Sequence, residues 1–210
     1  MVMQYIYLHG FASSPNSTKA RYLSDRFAEH HLPLCIPDLN HGDFPHLTIS
    51  RQIQQVAPAL NIPTTIIGSS LGGLTAAHLG QQYTQVQKIL LLAPAFGFLS
   101  HWLPTLGENI TQNWQQKKYI QVYHYGEGKE MPLSHDFLID AHQYQENSLQ
   151  RPLPTLILHG KHDDVIPIQA SQEFAMQRPW INLIELDSDH TLGNMMSETW
   201  QTIKLFCQIP

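Results

Sequence analysis

The chain is short of charge, of cysteine and of long apolar runs. Lys, Arg, Asp and Glu make up 14% of its 210 residues, well under the roughly 25% of an average domain, and 20 glutamines supply polar surface in their place. Twelve Lys and Arg against 17 acids leave a net charge of −5 with no basic block, so a surface that tracks phosphates is not indicated and nucleic acid is not expected as a partner. The two cysteines, Cys35 and Cys207, lie far apart and outside any C-x-x-C spacing, which excludes a disulfide scaffold and a zinc ribbon. Both read as reduced and structural. The longest apolar stretch, residues 89–99, has 11 residues where a membrane helix needs about 20, so no membrane span is expected. The start has neither a cationic segment nor a small-residue cleavage site. A cytoplasmic protein is therefore expected, with the sequons at Asn16 and Asn109 coincidental.

What is present points to one globular domain over residues 1–210. The hydrophobic share is 42%, and 14 prolines and 12 glycines are dispersed, which rules out collagen, coiled coil and wholesale disorder. Thirteen histidines are a second abundance beside the glutamines. Short apolar runs at 4–8, 34–37, 64–67, 88–93, 155–158 and 182–186 are continuous rather than alternating and are bounded by Gly, Pro or Asp, as buried parallel strands are. Between most of them lie segments with helical spacing at 19–30, 48–60, 71–83, 168–176 and 197–206. Strand and helix in repetition predict an α/β fold: a mostly parallel sheet of about six strands with helices on both faces. Residues 97–151 are too long for an ordinary connection. They hold Trp102, Trp114 and several tyrosines, with 119–125 as a short extended piece, and read as an inserted cap or as an elaborated crossover with no ligand contact.

Gly68-Ser69-Ser70-Leu71-Gly72 fits G-x-S-x-G and falls between a strand candidate and a helix candidate. Composition alone gives about 0.04 such matches by chance, so the placement carries information. This spacing suits a sharp strand-to-helix turn that exposes the Ser70 hydroxyl in strained geometry and frees the Leu71 N–H at the helix start to face a developing oxyanion. A serine hydroxyl needs a base, and that base needs an acid to orient it. Two later loops at strand carboxyl ends supply candidates: His159-Gly160-Lys161-His162-Asp163-Asp164, and Asp187-Ser188-Asp189-His190. The order Ser70, Asp163, His190 is nucleophile, acid, base, with Asp164 as a competing acid one residue away. His159, His162, Asp163 and Asp164 could be scored as metal ligands, but strand pleating would point the two histidines apart, and no metal is expected. Gly68-x-Ser70-x-x-Gly73 lacks the central glycine of a dinucleotide loop, so no cofactor is implied.

These motifs, together with Tyr7-Leu8-His9-Gly10-Phe11-Ala12-Ser13-Ser14-Pro15 and the following Ser17-Thr18-Lys19-Ala20, resemble the α/β-hydrolase superfamily and within it the small YqiA-like bacterial serine esterases. The resemblance implies an α/β-hydrolase fold and a Ser70–His190–Asp163 triad. It also implies a second oxyanion N–H at Phe11, substrate contacts near His9 and Gly10, and a small acyl ester or thioester substrate. His9 reads as a brace for the oxyanion loop rather than a second base, and Trp102 and Trp114 are candidate substrate contacts in the cap. The expected reaction is ester hydrolysis through an acyl-enzyme. Alternatives are an acyl thioesterase, a menaquinone-pathway-like lyase on the same fold, and a catalytically silent binding protein. The chain is expected to be a monomer or a weak homodimer.

Overall fold

Runs of Ile, Leu, Val and Tyr that are apolar on both sides of the pleat suit strands covered on both faces, and they take that place in the computed structural model, which describes residues 3–210. The first two residues, on which the leader reading partly rests, lie outside the described residues. In chain order, β1 (Gln4–Leu8) leads to α1 (Thr18–Glu29), a two-residue β2 (Leu34–Cys35), α2 (Ile49–Val56), β3 (Thr64–Ser69), α3 (Leu71–Gln82) and β4 (Val86–Leu92). Then come α4 (Phe98–Leu106), α5 (Glu108–Lys117), β5 (Tyr119–His124), β6 (Lys129–Ser134) and α6 (Asp136–Ala141). After them follow β7 (Thr155–Gly160), α7 (Ile168–Met176), β8 (Ile181–Leu186) and α8 (Met196–Cys207).

Six strands form one parallel sheet, as the sequence predicts, and their order is β2-β1-β3-β4-β7-β8. Alternate residues of each strand feed two separate cores. Ile6, Leu8, Ile66, Leu91 and Ile157 pack with α2, α3 and the segment between β4 and β7. Tyr5, Tyr7, Ile67, Leu90 and Leu158 pack with Leu23 and Phe27 of α1 and Trp200 and Ile203 of α8. The chain leaves β1 for β2 on one side and returns to β3 on the other, so a crevice opens beyond the carboxyl ends of β1 and β3, where ligands gather in open α/β sheets.

Two departures have local causes. The second strand stops at Cys35 instead of reaching residue 37, where Pro37 has no N–H to give a further rung. Between β4 and β7, only the extended piece near 119–125 was anticipated; it is β5, paired antiparallel with β6 in a hairpin of its own. The helices there leave no clear periodicity because Pro104 lies inside α4 and Gly107, at φ +79°, breaks it from α5, while Pro132 interrupts the strand pattern of β6. Among the described residues no helix is long and apolar enough to cross a membrane.

Candidate active site

β3 ends at Ser69, and the next residue turns the chain abruptly into α3. Ser70 has φ 52° and ψ −119°, a region that costs a non-glycine residue about 1–3 kcal/mol and persists only where the surroundings enforce it. The enforcement is visible. The Ser70 N–H donates to the Leu92 carbonyl at 2.9 Å, and its own carbonyl accepts from Gly73 and Leu74. The turn closes so tightly that a Cβ on Gly68 would lie 2.7 Å from the Gly73 Cα, and one on Gly72 would lie 2.7 Å from the Leu8 carbonyl carbon. The two outer glycines of G-x-S-x-G are thus required by contact. The Leu71 N–H, first in α3, has no hydrogen-bond partner among the described residues and carries the positive end of the helix dipole.

Two loops from the far side of the sheet close on Ser70. His190, in the loop after β8, places Nε2 at 3.0 Å from Ser70 Oγ and Nδ1 at 2.7 Å from Asp163 Oδ2. These partners assign the tautomer: Nδ1–H donates to the carboxylate and Nε2 accepts from the serine hydroxyl. The loop carrying Asp163 is tied to the β8 loop through Lys161 N–H on the Leu186 carbonyl and His162 N–H on the Ser188 carbonyl. Asp163 is the acid turned inward, its side chain fully buried; Asp164 is exposed.

Asp163 is held by more than His190. Its Oδ1 accepts the Val165 and Ile166 N–H groups at 2.9 and 2.8 Å. Its Oδ2 lies 3.0 Å from Nε2 of the wholly buried His159, whose Nδ1 accepts from the Ser171 hydroxyl at 2.8 Å. Burial alone would push this carboxyl up, but the hydrogen bonds from His159 and His190 and the Ile166 amide outweigh it and hold Asp163 well below the usual carboxylate range. The sequence offers His159 only as part of the His159-Gly160 run before the acid and as a metal-ligand candidate, not as a partner of Asp163. The available signal was its position at the end of β7, four residues before the acid. His162 turns away to Asp187, at 2.8 Å.

The loop after β1 forms the opposite wall. A Cβ on Gly10 would lie 3.3 Å from the Ser70 Cβ, so the Gly10–Phe11 peptide borders the hydroxyl. His9 does not face that space, contrary to its reading as a substrate contact: it is buried, with Nδ1–H donating to the Gly10 carbonyl at 2.9 Å and Nε2 accepting the Leu39 N–H at 3.0 Å. Desolvation lowers its pKa and favours the neutral ring that this pattern needs. Because a trans peptide points its C=O and N–H in opposite directions, fixing the Gly10 carbonyl also fixes the Phe11 N–H, which has no hydrogen-bond partner among the described residues.

The aromatic candidates divide. Trp102 is half-buried and its ring lies 5.6 Å from that of Phe11, which also touches Phe44 and Phe137. Trp114 is a correction. It is fully buried, its indole N–H donates to the Leu133 carbonyl at 2.9 Å, and it packs edge-on against Trp102 and His135. No face of it is left for a substrate.

The profile of the uncharacterised protein family UPF0227 matches residues 4–207. The chain belongs to this family. UPF0227 is the YqiA-like group that the Leu8-His9-Gly10-Phe11 opening resembles. Solved structures share the α/β-hydrolase fold at low sequence identity. A protein of Agrobacterium vitis S4 provisionally named a hydrolase is 22% identical, with TM-score 0.84 over 99% of this chain and 88% of its own. The mouse α/β hydrolase domain-containing protein 10 is 19% identical, with TM-score 0.80 over 98% and 89%. Est1E of Butyrivibrio proteoclasticus, solved with ferulic acid bound, is 16% identical, with TM-score 0.80 over 99% and 88%.

Proposed function

We propose that this UPF0227 member is a serine hydrolase that cleaves carboxylic esters through an acyl-enzyme. The observation that supports the reading most is the unbroken line of hydrogen bonds from Ser70 through His190 to Asp163, set on a backbone strained at the nucleophile. Esterases among the structural neighbours are consistent with it.

In the first step the Ser70 oxygen attacks the ester carbonyl while His190 Nε2 takes its proton. The imidazolium that forms is stabilised by the ionised Asp163 carboxylate, which is already charged at neutral pH. Negative charge builds on the former carbonyl oxygen, and the unpartnered N–H groups of Phe11 and Leu71 are the donors for it. His190 then returns the proton to the leaving alcohol. Water attacks the acyl-Ser70 ester, with His190 again as base, and the acid departs.

Residues 97–151 are read as a cap whose Trp102 borders the acyl side, because its ring rests on Phe11. A neutral acyl group suits that aromatic wall. Replacing Trp102 with alanine should shift the chain-length preference among p-nitrophenyl esters, and an unchanged profile would return the segment to the status of a crossover.

The decisive experiment is labelling with a fluorophosphonate followed by peptide mass spectrometry, beside hydrolysis of short p-nitrophenyl esters. Adduct on the Ser70 peptide is expected, absent in Ser70→Ala, with turnover in that variant down by about 10⁴- to 10⁶-fold. Labelling at another residue, or undiminished turnover in the variant, would remove the reading.

A further inference from the structure

Lys19 is a costly residue for its position. It is the second residue of α1, where the positive end of the helix dipole opposes a cation. Nevertheless Nζ turns inward and donates to Ser69 Oγ at 2.9 Å. Ser69 is itself buried, ends β3 and immediately precedes the strained Ser70. The charged groups whose fields reach this ammonium come from two other parts of the fold. Asp163 lies in the loop after β7 and Asp189 in the loop after β8, and both fields favour the charged amine. Tyr7, on β1, also interacts with Ser69, and burial pushes its phenol further up.

We propose that Lys19 is a positioning residue for the hydrolysis: its ammonium pins Ser69 from behind and so holds the strained turn that presents the Ser70 hydroxyl to His190. This rests on the serine-hydrolase reading above. An unpinned Ser69 would let the turn relax, and the hydroxyl would lose its line to His190 without any change in the surfaces that bind substrate. The defect should therefore appear in kcat and leave KM in place.

The titration of Lys19 gives a readout that a purely structural role lacks. Desolvation brings its pKa down to about 8, against the opposing pull of Asp189 and Asp163. A neutral amine donates a hydrogen bond about half as strong as an ammonium does, so kcat should decline as pH rises through this region. Arginine stays charged throughout it.

The test is the pH dependence of kcat from pH 6 to 10 for wild type, Lys19→Arg and Lys19→Met, with fluorophosphonate labelling rates measured in parallel and folding checked by circular dichroism. Expected are an alkaline decline in wild type, its absence in Lys19→Arg, and in Lys19→Met a kcat about 10- to 100-fold lower at neutral pH, with KM within about twofold and no alkaline limb. Wild-type kcat in Lys19→Met, or reduced activity that keeps the wild-type alkaline limb, would overturn the proposal. If Lys19→Met fails to fold, a flat wild-type profile, or an unaltered alkaline limb in Lys19→Arg, overturns it equally. Failure of wild type to label at Ser70 would instead sink the hydrolase reading itself, whereas labelling that ignores Lys19 sinks only this inference.

Discussion

Four donors converge on Asp163, and His159 is the one whose loss should be most instructive. His159→Leu leaves one lone pair of a buried carboxylate and the Ser171 hydroxyl unpaired, at a cost of about 1–3 kcal/mol in urea unfolding. It also removes a bond that lowers the acid's pKa, so the Asp163 carboxyl should titrate at higher pH in the variant, as followed by carboxyl ¹³C NMR. An unmoved titration would show that His190 and the two amides suffice.

His78 is a different kind of buried histidine. It sits in α3 with Nε2 unpartnered, its ring edge-on to Tyr144 at 4.9 Å, and desolvation pushes its pKa down to about 4. The unfolded chain, with an ordinary value near 6.5, then binds the extra proton first, so stability falls as pH drops from about 6.5 to about 4. Asp163 works in the other direction of shift: its contribution is complete above the ordinary carboxylate pKa near 3.9 and is lost only below that, as pH falls through its depressed folded value. Acid unfolding should accordingly begin with histidine and finish with the carboxylate. His78→Leu should flatten the stability curve between pH 6.5 and 4, recovering on the order of 3 kcal/mol at the acid end; an unchanged slope in pH-dependent urea titrations would assign the loss to other groups.

At the scale of elements, the hairpin of β5 and β6 is more than filling. Its turn docks on the loop that carries Phe11: the Gly126 N–H donates to the Ala12 carbonyl at 3.3 Å, and a Cβ on Gly126 would stand 2.9 Å from the Ser14 Cβ and 3.2 Å from the Ser13 carbonyl carbon. His124, next to the hairpin's turn, packs edge-on against Phe44, which touches Phe11. Gly126→Ala should push the turn and the loop apart, costing about 1–3 kcal/mol and slowing fluorophosphonate labelling of Ser70. Thermal unfolding together with the labelling rate tests this. Normal labelling in a destabilised variant would confine the hairpin to a structural role.

The same hairpin marks the limit of what could be read from the chain. The strands of the parallel sheet were legible because each is apolar on both faces, a pattern set by local burial alone. Ser70, Asp163 and His190 were legible because turn geometry and strand ends constrain residue type within a few positions. Lys19 and His159 were not, since what defines each is a partner 50 residues away or a loop folding back on a strand end, and neither distance leaves a periodicity. The helices α4 and α5 were hidden by Pro104 and Gly107, residues that ordinarily mark an end. Trp114 illustrates the converse: an aromatic in a suspected cap looks like a ligand contact until the Leu133 carbonyl is seen to occupy its only polar atom.

For the molecule as a whole, charge is sparse and histidine is not. With the histidines neutral the net charge is −5, and the isoelectric point computed from sequence is about 6.2, inside the range where histidines gain protons. Mutual repulsion between molecules should therefore vanish near pH 6, and solubility measured by turbidity across pH 5 to 8 should pass through a minimum there. A monotonic curve would mean that the polar glutamine surface, and not charge, keeps the protein dispersed. The serine and the imidazole that would activate it are 120 positions apart in the chain, and the imidazole arrives on the loop beyond the sheet's outermost strand. On the proposed mechanism, then, a nascent chain that has already made its strained turn would carry an unactivated serine until that edge strand is in place.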